Sequence, residues 1–306
     1  MINRKLFIRQ SALFAGGLLI GSGAFAVNKE APLLSFSTLG CPKWSIEQIL
    51  SFGSANGYEG IEIRGILGEL NLPKLPAFSS AASIASTRKM FADKNLKIVN
   101  LGASAEMHHV DPAKRKKNID EAKQFIDLAY NLGCPFVRVF PNELPKDRDR
   151  AVTLDLIVSG LKELGDYAKG SSVTVLMETH GDLSKTEDVL YLMQHSEGPH
   201  VGLVWDIYNM WTVTNEPPAQ VYAKLHSYIR HTHIKDSKKT DGKENYVFLG
   251  RGDAPLTEAF AALRNGGYKG FYSFEWEKLW HPEIAEPELA IADFPSAFKK
   301  IYNSHK

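Results

Sequence analysis

Several apolar runs in the second half of the chain end in residues able to hold a metal ion or move a proton. Leu176-Met177 leads into Glu178-Thr179-His180, Val204-Trp205 into Asp206, and Phe274 into Glu275-Trp276-Glu277; before the last of these stands His231-Thr232-His233-Ile234-Lys235-Asp236. Glu178, Asp206, His233 and Glu275 together offer three carboxylates and one imidazole. That set suits one hard or borderline divalent ion: Mn²⁺, Mg²⁺, Co²⁺ or Zn²⁺. Without a cation, buried carboxylates so grouped would repel one another and have to take up protons. Strand alternation gives His231 and His233 the same inward parity, with His231 one layer deeper, and gives Glu275 and Glu277 a shared parity, with Glu275 at the strand end and Glu277 in the loop beyond. Each residue alone also fits a surface loop or a satisfied polar core position. The recurrence on consecutive runs is what points to a metal.

Other groups suit a polar small molecule. Lys235 is placed to stabilise negative charge on oxygen, and Asp236 to orient Lys235 or a water. Arg251, between Gly250 and Gly252, suits a substrate hydroxyl or carboxylate, with a loop ion pair as the alternative. Glu62 and Arg64 share strand parity and are expected at the mouth as an ion pair. His180 shares a face with Glu178 and is expected to bond substrate. Of His108 and His109, His108 is the candidate for the pocket, a solvent-facing loop histidine being the alternative. Trp44, Trp211 and Trp276 suit stacking on a sugar ring or ordinary core packing.

What positions these groups is an alternation of short apolar runs with longer amphipathic ones. Strands are predicted at 33–38, 60–64, 96–101, 136–140, 173–178, 201–206, 228–234 and 271–275. Helices are predicted at 45–56, 83–95, 112–132, 148–169, 185–194, 218–225, 256–265 and 287–302. The long third helix opens on Pro112 and stops at Gly133, residue types that favour those ends. Eight such pairs imply a single-domain α/β fold, a closed parallel (β/α)8 barrel spanning 27–306, whose active site forms at the C-terminal strand ends. An open doubly wound sheet would call for a glycine-rich loop after the first strand, and Gly40-Cys41-Pro42 is not one.

The first residues read as a signal peptide, 1–26. Arg4, Lys5 and Arg9 precede an apolar stretch from Ser11 to Phe25, and Ala24-Phe25-Ala26 fits a small-x-small cleavage pattern. This predicts export to a bacterial periplasm with a mature start near Val27, and no stable membrane association after cleavage. Cys41 and Cys134 are read as unpaired structural thiols. The formal net charge of +1 gives no basic field for nucleic acid, and Lys114 to Lys117 reads as a solvated helix face.

These residues resemble the xylose isomerase-like barrel superfamily of sugar isomerases, epimerases and inosose dehydratases. The likeness rests on Gly57 to Arg64, Met177 to His180, Trp205-Asp206, His231 to Asp236, Gly250 to Asp253 and Ser273 to Glu277, and covers essentially all of 27–306. One departure is Asn209, where many relatives carry a histidine three residues after the sixth-strand aspartate. The resemblance implies one catalytic divalent ion on Glu178, Asp206, His233 and Glu275. It also implies that Glu178 and Glu275 serve as acid and base, with Lys235 assisting. The expected activity is isomerisation or epimerisation by proton transfer beside a carbonyl of an unphosphorylated carbohydrate. The alternatives are dehydration of a keto-polyol by the same metal, or a non-catalytic carbohydrate-binding barrel. A homo-oligomer is compatible with the sequence.

Overall fold

The computed structural model describes residues 31–304, which contain the barrel; the expected signal peptide lies outside them. Among the described residues no helix is long and apolar enough to cross a membrane.

Eight parallel strands close on themselves. They are β1 (Leu33–Ser37), β2 (Gly60–Ile63), β3 (Lys97–Glu106), β4 (Phe136–Phe140), β5 (Thr174–Glu178), β6 (Val201–Asp206), β7 (Ile229–Ile234) and, after an antiparallel hairpin of β8 (Ser237–Thr240) and β9 (Lys243–Tyr246), β10 (Phe271–Phe274). The order around the barrel is β1-β10-β7-β6-β5-β4-β3-β2. Outside it run α1 (Ile46–Ala55), α2 (Ala81–Asp93), α3 (Pro112–Leu132), α4 (Arg150–Tyr167), α5 (Thr186–His195), α6 (Ile207–Thr214), α7 (Pro218–Leu225), α8 (Leu256–Asn265) and α9 (Pro287–Asn303).

Local chemistry sets the helix ends. Ser45 and Gln48 form a reciprocal capping box at α1. At α3, Asp111 caps the first turn ahead of Pro112, and Gly133 takes the left-handed conformation that stops the helix. Cys41 and Cys134 are buried and unpaired, as expected.

Apolar side chains from the strands' outer faces meet the helices, with Phe36, Ile61, Leu101, Val137, Val175 and Leu203 all buried. The inner face is different. Registers pair Glu178 with Val204, Asp206 with His233, His233 with Ser273, Ser37 with Glu62, Glu62 with Asn100, and Gly102 with Arg138. Residues paired across neighbouring strands point to the same face. The interior therefore carries many polar and charged groups beside Leu176 and Val204, where branched aliphatics commonly fill such barrels. Gly102 is required here: a Cβ on it would lie 2.7 Å from Arg64 Cδ and 3.0 Å from an Arg138 guanidinium nitrogen.

Candidate metal centre

Asp206 and His233 sit level on adjacent strands. Glu275 follows β10 by one residue, two places beyond the partner of His233, and so faces inward with it. Glu178 ends β5. Ligand-capable atoms of all four lie within 4.8 Å of one another, and all four residues are buried.

His233 organises the centre. Its Nδ1 is 3.2 Å from Glu275 Oε1, 3.6 Å from Glu178 Oε1 and 3.9 Å from Asp206 Oδ2. Donors on a small tetrahedral ion with bonds of about 2.0–2.2 Å stand roughly 3.3 Å apart, so these spacings suit one. Glu62 Oε2 accepts from His231 Nε2 at 2.8 Å and from His233 Nε2 at 2.9 Å. Burial would lower His233, but the charges of Glu275, Glu62 and Glu178 outweigh it and raise the imidazole well above its usual range. With Glu62 on Nε2, the Nδ1 position among three carboxylates calls for a positive charge, a proton or a metal ion. Nδ1 has no hydrogen-bond partner, and neither has Glu178 Oε2. A divalent ion that displaces a proton from Nδ1 would meet its lone pair and the three carboxylates together. The donor set and its orphaned atoms thus fit a divalent ion, held by Glu178, Asp206, His233 and Glu275.

Charge is balanced by buried bases. Arg138 Nε stands 2.9 Å from Glu178 Oε2, out of hydrogen-bond alignment, while its guanidinium lies over the Phe140 ring at 3.8 Å. Burial alone would raise Glu178, but Arg138 and then His233 outweigh it and hold the carboxyl below its usual range. Burial pushes Asp206 up to about 7, against the pull of Lys235. Lys235 Nζ donates to Asp206 Oδ2 at 2.7 Å, Glu275 Oε2 at 2.6 Å and Glu277 Oε1 at 2.9 Å. An ammonium has three N–H groups, so all are in use. Asp206 Oδ1 meanwhile accepts from Asn209 N–H at 2.8 Å, capping α6.

Several expectations are corrected. Glu62 is not at the mouth and not paired with Arg64; it is fully buried beneath His233, and Asn100 also donates to it. Arg64 instead donates to Gly102 O and Ser104 Oγ, and burial lowers its guanidinium to about 10. Arg251 does not reach the centre: its side chain is 64% exposed, 3.6 Å from Asp293, and covers Phe248. Asp236 does not orient Lys235; its carboxylate accepts from the N–H groups of Gly250, Gly252 and Ala254 and pins that loop. Lys235 is a brace among carboxylates, with no donor left for a substrate oxygen. His180 packs on Phe140, and its Nδ1 meets Asn142 Oδ1 at 2.8 Å. His108 is buried beside His109, outside the central set. Trp44 and Trp276 are core residues, packed on Phe52 and Phe274.

Sequence reasoning missed Arg138, Asn142 and the role of Glu277. A lone arginine inside the apolar run Phe136–Phe140 was the available signal for the first. For Glu277 it was shared parity with Glu275.

Residues 50–298 match the model of the xylose isomerase-like TIM barrel family. Fructoselysine 3-epimerase from Shigella flexneri is 26% identical over 272 residues, covering 86% of this chain and 96% of the relative. Inosose isomerase from Halalkalibacterium halodurans is 26% identical over 268 residues, 84% and 91% of the two chains. Among solved structures, the IOLI protein with a bound zinc atom superposes with a TM-score of 0.75 at 19% identity, over 90% of this chain and 99% of that one.

Proposed function

The chain belongs to the xylose isomerase-like TIM barrel family, and from that premise we propose that it is a divalent-metal-dependent isomerase or epimerase moving a proton beside the carbonyl of a keto-sugar. One observation carries the reading: Glu178 and Glu275, from different sides of the barrel, converge on His233 Nδ1 at 3.6 and 3.2 Å. Two carboxylates facing one centre supply a base for one face of a carbon and an acid for the other. A divalent ion bound by Glu178, Asp206, His233 and Glu275 adds positive charge for substrate oxygens.

The chain's own groups do the rest. Arg138 keeps Glu178 ionised, ready to take a proton. Lys235 fixes Asp206 and Glu275 against each other. His180, held by Asn142, presents its ring beside this centre as a partner for a sugar hydroxyl. Burial of Glu178 and Glu275, 2% and 4% exposed, keeps bulk water from quenching a carbanion. Export of the chain to the periplasm, also proposed, favours unphosphorylated substrates.

The test is proton exchange in D2O with a panel of keto-sugars and their phosphates. Deuterium is expected at the carbon beside the carbonyl, with greater turnover on the unphosphorylated compounds. Glu178→Gln and Glu275→Gln should abolish exchange while keeping the wild-type circular dichroism. A metal-free wild type that binds sugar unchanged and exchanges no hydrogen would overturn the reading in favour of a binding module. Net loss of water from the substrate would point to a dehydratase.

A further inference from the structure

Beyond the central set, the end of β3 gathers a second group of metal-capable side chains. Glu106 is the last residue of β3, and its N–H donates to Asn118 Oδ1 at 2.8 Å, tying it to α3. Its Oε2 stands 2.9 Å from His109 Nε2, and its Oε1 accepts from Asn142. The rings of His108 and His109 lie 4.1 Å apart. Ligand-capable atoms of Glu106, His108 and His109 all fall within 4.8 Å of one another. Glu143 Oε2, on an exposed side chain, is 3.7 Å from His108 Nε2.

The Glu106–His109 contact does not account for His108. That imidazole is 6% exposed, and its Nδ1 is buried without a hydrogen-bond partner. We propose that Glu106, His108 and His109 form a second, peripheral site for a transition-metal ion of the zinc class. Two imidazoles and one carboxylate favour zinc or cobalt over magnesium or calcium. Three protein ligands leave a fourth position for water. Asn142 supplies the outer support such sites have: it holds the far oxygen of Glu106 while also binding His180. Filling the site therefore acts on the Glu106 end of a hydrogen-bonded chain whose other end is His180.

The experiment counts ions. Full-length protein is stripped with chelator, equilibrated with Zn²⁺ or Co²⁺, desalted and assayed for metal per chain, with thermal melts to verify folding. Wild type is expected to hold two ions. Glu106→Gln and His109→Ala, at a near-isosteric and a partly exposed position, should each hold one, and Asp206→Asn should keep the peripheral ion. Bound Co²⁺ should lose the visible bands of one site in the first two variants and of the other in the third. Full wild-type metal content in both Glu106→Gln and His109→Ala overturns the proposal. So does a single wild-type ion that only Asp206→Asn removes. A single ion lost only in Glu106→Gln and His109→Ala supports the peripheral site and counts against the central one.

Discussion

Glu62 and His233 are joined Oε2 to Nε2 at 2.9 Å, and this bond decides which nitrogen of the ring faces the three carboxylates. Burial would raise Glu62, but the charge of His233 and hydrogen bonds from His231 and His233 hold it well below the usual range, as an acceptor. Glu62→Gln removes that charge and permits the other tautomer. Loss of such an outer partner commonly costs about 10–100-fold in metal affinity. Competition against a chromophoric chelator is expected to read a loss of that size, and histidine ¹⁵N shifts should show Nε2–H no longer dominant at His233. Unchanged affinity and tautomer would refute the role.

Metal removal has a thermodynamic signature. An ion that binds only the folded chain adds about 2.7 kcal/mol at a hundred times its Kd. Chelated protein should keep its circular dichroism but melt earlier, and returning Mn²⁺, Co²⁺ or Zn²⁺ should raise the melting temperature with ion concentration. In Asp206→Asn the rise should shrink to whatever the peripheral ion alone contributes. An identical rise in that variant would mean the central groups hold nothing.

Gly102 tests the steric side of the centre. A side chain there meets Arg64 Cδ at 2.7 Å and the Arg138 guanidinium at 3.0 Å, so one or both must shift. Misplacement by about 1 Å can cost on the order of 100-fold in rate. Gly102→Ala is expected to lower kcat by about that factor. Metal content should stay at the wild-type level, because neither arginine is a ligand.

The pH response at the alkaline end is fixed by burial. It pushes the Cys134 thiol up to about 12 from an ordinary 9.0. The folded pKa lies above the unfolded one, so this contribution is intact below pH 9.0 and lost as pH climbs toward 12. Buried Tyr58 and Tyr272 and half-buried Tyr268, all raised by desolvation first, act in the same direction. Unfolding free energy should fall steeply above pH 9.0, and Cys134→Ala should flatten the slope by up to about 1.4 kcal/mol per pH unit. At roughly neutral pH, disulfide reagents should label the native thiols only as fast as the chain opens.

The proposed export makes a simpler forecast. The N-terminus of protein recovered from the periplasm should be Val27, whereas a chain still beginning at Met1 in the membrane fraction would identify an uncleaved anchor.

Much of the barrel is legible because strand and helix periods differ and because polar residues stop apolar runs where strands end. Strands at 136–140 and 201–206 match the observed bounds. The grouping of Glu178, Asp206, His233 and Glu275 was legible for the same reason. Depth was not. Alternation says that Glu62 faces inward, but strand tilt and register decide that it lies under His233 rather than at the rim. Likewise Arg138 belongs with Glu178, forty positions away, only through the pairing of β4 with β5. The β8–β9 hairpin was missed because its residues are polar, yet Asp241-Gly242, with φ of 52° and 76°, is the signal such turns carry. Arg251 misled because glycines around it suggested a substrate loop, while Asp236 uses the backbone of that loop and leaves the guanidinium outside.

Lys235 gives the centre an internal counter-ion. With an ammonium lodged permanently between Asp206, Glu275 and Glu277, the empty cage does not have to collapse, swell or protonate fully to stay intact. Loading then resembles the filling of a rigid chelator more than a folding event. On the proposed reading, the ligand groups stand assembled before an ion arrives.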